Sequence, residues 1–196
     1  PGGHGVDAAA GEGQSLGLPL SFGGPYVGLF AVASELVKSM PGRLVGMTSD
    51  ARGNPCYTLT LAAREQHIRR GRASSNICTN EGLCATAVAM YLSMLGREGL
   101  PRLAMYNHHR AGLLKTILAG ISGVSLPFSG PTFNEFVVRL SRPADEVVRE
   151  LSGEGIVPGL DLGVAFPAMS DCLLVSVTER ASDDDFDRLA SALGAT

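Results

Sequence analysis

The stretch from Arg64 to Asn80, REQHIRRGRASSNICTN, concentrates the chemistry-bearing side chains of this chain. Arg64, Arg69, Arg70 and Arg72 carry fixed positive charge, Glu65 a negative one, and His67 an imidazole able to carry a proton. A small, hydroxyl-rich run follows (Ala73, Ser74, Ser75, Asn76), and an apolar helix is expected to open near Thr79. Guanidinium groups, hydroxyls and the free N–H groups of a helix N-terminus are donors suited to a phosphate or carboxylate. Each residue also has a plainer reading. His67 is either a proton carrier or anion contact, or a surface or interface histidine. Arg69 and Arg70 either hold an anion or pair with acids in a domain interface. Ser74, Ser75 and Asn76 either reach a phosphate or cap the helix, and capping accounts for only one of the three. No complete catalytic constellation accompanies them, so the residues alone leave these alternatives open.

Other polar clusters read as structural. His108 and His109 fall within a predicted helix, where neighbours point about 100° apart and do not share a metal. Asp183, Asp184 and Asp185 suit the positive end of a helix better than a cation site. Gly23-Gly24-Pro25 is a turn signal and only a weak candidate for a phosphate cradle. Cys56, Cys78, Cys84 and Cys172 show no CxxC spacing and read as reduced thiols of a cytosolic protein. No metal site is expected. The chain has just two lysines, Lys38 and Lys115.

The elements that must position these residues fit a chain of 196 residues with 45% hydrophobic content, enough for one good core or two small units. A net charge of −3 gives no footing for a nucleic-acid binder. The longest apolar stretch, around Cys84–Leu95, is too short and too mixed to span a bilayer, and no secretory leader pattern opens the sequence. Pro1 stands where an initiator Met would, so the chain is expected to be a trimmed piece.

Hydrophobic periodicity then sets out the elements. Strands are expected at Leu29–Val32, Arg43–Thr48 and Tyr57–Leu61, the last two joined by a hairpin-type loop at Asp50–Asn54, and Ser34 is expected to cap a short helix to Met40. Two helices follow, one from Asn76 to about Leu95 and stopped by Gly96, the other from Gly99 to Ala119. Beyond them come strands at Val124–Phe128, Glu135–Leu140 and Leu173–Thr178. A helix is expected from Pro143 to Leu151, and a final helix capped by Ser182. This order predicts an antiparallel sheet covered by helices, a small α+β unit.

The Arg64–Asn80 stretch closely resembles the signature of the glycine decarboxylase P-protein family, in its subunit 1 form. GEGQSLGLPLSFGGPYVG (Gly11–Gly28), MPGRLVGMTSDARG (Met40–Gly53) and LLVSVTER (Leu173–Arg180) resemble the same family in the same order. The resemblance implies an α/β fold: the C-terminal portion of a fold type I transferase dependent on pyridoxal 5'-phosphate (PLP). Residues 1–75 would be the end of the large domain, 76–120 the connecting helices and 121–196 the small C-terminal domain. It implies part of a heteromeric, cytoplasmic enzyme of the glycine cleavage system. That enzyme decarboxylates glycine oxidatively and passes the aminomethyl group to lipoylated H-protein. PLP would be bound covalently to a lysine of the partner, subunit 2, and not to this chain. The matching position here holds Gln14, five residues before Pro19, and glutamine cannot form a Schiff base. The chain would supply no catalytic residue of its own and would complete the partner's site. Ser74 and Ser75 stand where relatives of this fold place a hydroxyl-bearing loop on the partner's PLP phosphate. Ser74 replaces a common threonine and keeps the hydroxyl; Arg72 replaces a common lysine and keeps the charge. His67, Arg69 and Arg70 are the substrate or anion candidates. The rival expectation is a non-catalytic interaction or scaffold domain of the same complex.

Overall fold

The computed structural model describes residues 3, 5–40, 44–61, 65–73 and 81–195. The chain divides into two compact units, Pro1–Leu95 and Gly96–Thr196. The division falls inside the stretch 76–120 that was expected to connect domains.

Unit 1 opens with β1 (Ala8–Glu12) and β2 (Gly28–Val32), antiparallel, with Ala8 opposite Val32 and Glu12 opposite Gly28. The Glu12 carboxylate closes this pair by accepting the Val27 amide at 2.8 Å and the Gln14 amide at 3.1 Å. Ser34–Ser39 follows as a 3₁₀ helix where an ordinary short helix was expected; no side chain caps its start, and none of its residues is buried. β3 (Leu44–Ser49) and β4 (Pro55–Thr60) form the expected hairpin. Its loop is built on Asp50, whose carboxylate accepts the Arg52 amide at 2.7 Å, the Asn54 amide at 2.9 Å and the Asn54 side chain at 3.1 Å. Val45 faces Leu59 and Met47 faces Tyr57 across the strands, and all four side chains are exposed. Helix α1 (Gln66–Arg69) and a 3₁₀ turn (Arg70–Arg72) come next.

The long helical run α2 (Gly82–Ala119) is interrupted at Gly96, which has φ 65° and ψ −172°. The expected stop at Gly96 appears: one helix ends there and a second follows. Gly112, which weakened the expectation of an unbroken helix, stays helical. The expected helix start at 76–79 lies outside the described residues. In unit 1, α2 buries Cys84 and Val88 beside Val27, with Leu16, Leu18 and Leu92 packed against them. Gly17 makes this approach possible: at φ 97°, a Cβ would stand 2.7 Å from Tyr91 Cβ, so both conformation and space require glycine.

Unit 2 carries a full core. β5 (Glu135–Arg139), β6 (Leu160–Asp161) and β7 (Cys172–Ser176) form a three-stranded antiparallel sheet in the order β5-β7-β6. Phe136 and Val138 of β5 and Leu173 and Val175 of β7 are buried with Ala111, Leu114 and Leu118 of α2. Helix α3 (Ala144–Gly153) adds Val147 and Leu151, and α4 (Asp183–Ala195) adds Phe186, Leu189 and Leu193. The Ser182 cap appears as expected: its hydroxyl accepts the Asp185 amide at 3.2 Å, while the Asp185 carboxylate accepts the Ser182 amide at 2.8 Å. The expected strand at Val124–Phe128 does not extend. Only Ser125 bridges to Arg139, and Pro127 has no N–H with which to continue a ladder. β6 was not expected, because Pro158-Gly159 hid so short a strand.

Two predictions follow from this packing. Leu118 is fully buried, so Leu118→Ala should destabilise unit 2 by about 2–5 kcal/mol in urea unfolding, whereas the half-exposed Leu113 on the same helix should cost well under that when changed to Ala. In the hairpin, hydrogen bonds from Asn54, and then from Arg52, hold the Asp50 carboxyl below its usual value. The folded pKa is depressed, so this stabilisation is complete above about pH 4 and is lost as pH falls through the lowered folded value. Amide protection of Arg52 and Asn54 by NMR should therefore hold above that pH and fall below it, and Asp50→Asn should abolish the step.

Candidate functional site

The described part of the Arg64–Asn80 stretch is residues 65–73. The chain turns once through α1, with the Ile68 and Arg69 amides donating to the Glu65 carbonyl at 3.1 and 2.9 Å. Arg70 then takes φ 53° and ψ −127°, a left-handed conformation unusual for a residue with a Cβ, and its amide donates back to the Gln66 carbonyl. The Ala73 amide donates to the Arg70 carbonyl at 3.1 Å, closing the 3₁₀ turn. His67, Arg69, Arg70 and Arg72 are all exposed on this double turn. It therefore gathers three guanidinium groups and one imidazole on a few exposed residues, with Ile68 exposed among them. Guanidinium groups exposed in this way are suited to an anion through charge and bidentate hydrogen bonding. Ser74 and Ser75 lie outside the described residues, so only the arginine and histidine half of the expected donor set is in view.

The Gln14 position belongs to a separate turn. The Leu18 amide donates to the Gln14 carbonyl at 3.0 Å, and the Gln14 side-chain amide donates to the Leu18 carbonyl at 3.4 Å. The Glu12 carboxylate fixes the entrance of this turn, and Leu16 and Leu18 pin it to the small apolar cluster of α2. The turn carries an amide at Gln14, and an amide does not form a Schiff base. Lys38 stands exposed at the end of the 3₁₀ helix, and Lys115 lies in the unit 2 part of α2. At the Gln14 turn the residues do not fit covalent attachment of the cofactor.

Elsewhere, His108 Nδ1 lies 3.3 Å from the Phe133 carbonyl and its ring stacks on Phe133 at 6.5 Å, while His109 is exposed. Among the described residues no group of three His, Cys, Asp or Glu side chains is placed to hold a metal ion. Sequence reasoning missed Arg110, the buried charged residue of unit 2. Its guanidinium pairs with the Asp183 carboxylate, donates to the Ala181 carbonyl at 2.8 Å and lies 4.2 Å from the centre of the Phe186 ring. The available signal was a lone arginine between histidine and alanine on a helical face, opposite an acidic cluster far along the chain. Its role is to tie the start of α4 to α2.

The fold is mixed α/β and is shared with PLP-dependent enzymes. A C-DES variant with glycine covalently linked to its PLP cofactor aligns over 88% of this chain and 43% of its own, with a TM-score of 0.57 at 15% identity. The likeness tightens sharply in one family. Residues 1–193 match the family described as glycine cleavage system P-protein, and the chain belongs to that family. A crystal structure of glycine decarboxylase (P-protein) of the glycine cleavage system, in inhibitor-bound form, superposes with a TM-score of 0.92 at 41% identity over 100% of this chain and 44% of that one. The "Probable glycine dehydrogenase (decarboxylating) subunit 1" of Rhizorhabdus wittichii is 52% identical over 100% of this chain, which spans 43% of that relative. No helix among the described residues is long and apolar enough to cross a membrane.

The Glu12 clamp gives a direct check on the turn that holds Gln14. Glu12→Ala removes an acceptor shared by two amides, so amide exchange at Gln14 and Val27 should quicken and unit 1 should lose about 1 kcal/mol of stability. Unchanged exchange at both amides would show that the backbone alone holds the turn.

Proposed function

We propose that this chain works as part of subunit 1 of glycine decarboxylase in the glycine cleavage system, in a complex with subunit 2 that acts on glycine and hands the aminomethyl group to lipoylated H-protein. The observation that carries this reading is the 0.92 TM-score superposition on a P-protein at 41% identity along the whole of this chain. In this reading PLP supplies the electron sink for loss of the glycine carboxylate and is held covalently by subunit 2. Support for that division comes from Gln14, whose side chain closes its own turn, and from the placement of both lysines in other elements.

This chain's own contribution is positional and electrostatic. Arg69 and Arg70, with His67 beside them, present an exposed cationic turn suited to a carboxylate or phosphate at the partner's site. Ser74 and Ser75 follow directly in sequence and would give hydroxyl donors to the phosphate of the partner's PLP. The setting would be the cytoplasm, in keeping with cysteines that read as reduced thiols. A scaffold role without such contacts is the competing reading, favoured by the full exposure of the double turn.

Glycine–bicarbonate carbon exchange separates the two. Subunit 2 and H-protein are assayed with a full-length subunit carrying this chain, either unaltered or with Ser74 and Ser75 both changed to Ala. Exchange should depend on the chain, and the double variant should need at least about tenfold more PLP for half-maximal rate, as expected on losing two charge-assisted hydrogen bonds. An unchanged PLP requirement would leave the chain as scaffold. Equal exchange without the chain would refute the subunit assignment.

A further inference from the structure

We propose that the outward face of the β3–β4 hairpin in unit 1 is a docking surface for subunit 2, which meets it with an apolar patch rimmed by carboxylates. The choice of occupant rests on the subunit reading above; the requirement that something cover this face stands on the hairpin alone.

The hairpin is patterned inside out. Residues two apart on a strand share a face, and the apolar set ordinarily turns to the core. Here the cross-strand pairs Val45–Leu59 and Met47–Tyr57 fall on one face. Met47 and Tyr57 are each 73% exposed, Val45 65% and Leu59 57%. The half-buried residues of the two strands, Leu44, Gly46, Cys56 and Thr60, all lie on the other face. That face is closely fitted. A Cβ on Gly46 would stand 2.6 Å from Thr60 Cγ2, and the Thr60 hydroxyl donates to the Leu44 carbonyl at 3.3 Å. These contacts hold the register that sends the apolar set outward. Four such side chains make an apolar patch on the order of 500 Å², the size that marks an interaction site on a protein surface. A two-stranded hairpin is marginal by itself and gains stability when such a face is covered.

Composition and charge point to the occupant. Tyr and Met with neighbouring Arg, and little Lys or Glu, match the make-up of a protein–protein interface. From Leu44 to Ala73 the chain carries Arg52, Arg64, Arg69, Arg70 and Arg72 against Asp50 and Glu65, five positive charges to two negative, whereas the whole chain stands at −3. The complement of such a strip is apolar with acidic edges. A second copy would bring the same arginine surplus and not its complement. The strip also runs on along the chain into the double turn. Leu61 follows the hairpin and is 39% exposed, Glu65 precedes α1, and Ile68 within α1 is 54% exposed. The surface that would hold subunit 2 thus leads into the arginines that would face the partner's site.

The test uses a full-length subunit 1 carrying this chain, with purified subunit 2. Hydroxyl-radical footprinting reads Met47 and Tyr57 in subunit 1 alone and in the complex, and both should be labelled several-fold more slowly in the complex. Tyr57→Glu should weaken calorimetric binding of subunit 2 at least about thirtyfold, the loss typical of an interface centre. Thr58→Glu, next along the strand and on the opposite face, should leave it nearly unchanged. Both positions are exposed, so the thermal midpoint of each variant should match that of the parent. The footprint is read on unaltered protein, so it decides even where a variant misfolds.

Protection of Met47 and Tyr57 already in subunit 1 alone overturns the proposal. It gives the face to the rest of that subunit, or to a second copy if the protection fades on dilution. Equal labelling with and without subunit 2 also overturns it, as does equal binding by Tyr57→Glu and the parent. Failure of the unaltered subunits to bind each other at all refutes the subunit reading itself, and the occupant with it.

Discussion

The packing of one face of α2 onto the β5–β7 sheet is what unit 2 rests on. Ala111, Leu114 and Leu118 recur at helical spacing and meet Phe136, Val138, Leu173 and Val175, which alternate along their strands. Two periodicities, near 3.6 and 2, thus converge on one buried layer. α3 and α4 close the sides of that layer with Val147, Leu151, Phe186, Leu189 and Leu193. The acidic start of α4 then gains a fixed address, because Arg110 reaches from α2 to Asp183 and to the Ala181 carbonyl. Hydrogen bonding and charge refine an arrangement that apolar burial has already chosen.

Unit 1 is governed by a different balance. Its buried apolar side chains, among the described residues, are Val27, Cys84 and Val88. Local devices do the rest: the Glu12 clamp, the Asp50 loop and the close approach of Gly17 to Tyr91. Such devices fix turns sharply over short range and contribute little to burying a layer. The cationic double turn belongs to this unit, so its precision comes from backbone hydrogen bonding and from the left-handed Arg70.

What could be read from the sequence follows the same division. The β5 and β7 strands, the Ser182 cap and the Asp50–Asn54 loop each carry a local signature, and all appear close to their expected places. The Val124–Phe128 strand failed because an apolar run says nothing about whether a partner edge is available; only Ser125 finds one. Arg110 was invisible because its meaning lies in an acid and an aromatic ring more than seventy positions away. For the candidate site, residue types and the family resemblance named His67, Arg69 and Arg70. Spacing alone had no means to show that Arg70 would turn left-handed and set them on a double turn.

The β3–β4 hairpin has a consequence for the behaviour of the isolated polypeptide in solution. Val45, Met47, Tyr57 and Leu59 form two cross-strand pairs that stand exposed on a two-stranded sheet. An apolar ribbon that is two-stranded among the described residues is a template for adding further strands. The net charge of −3 over 196 residues offers little colloidal repulsion to oppose that. The chain on its own is therefore a sticky molecule, prone to self-association as concentration or salt rises. In a cell, that ribbon is the kind of surface by which chaperones and proteases distinguish an unassembled polypeptide from an assembled one.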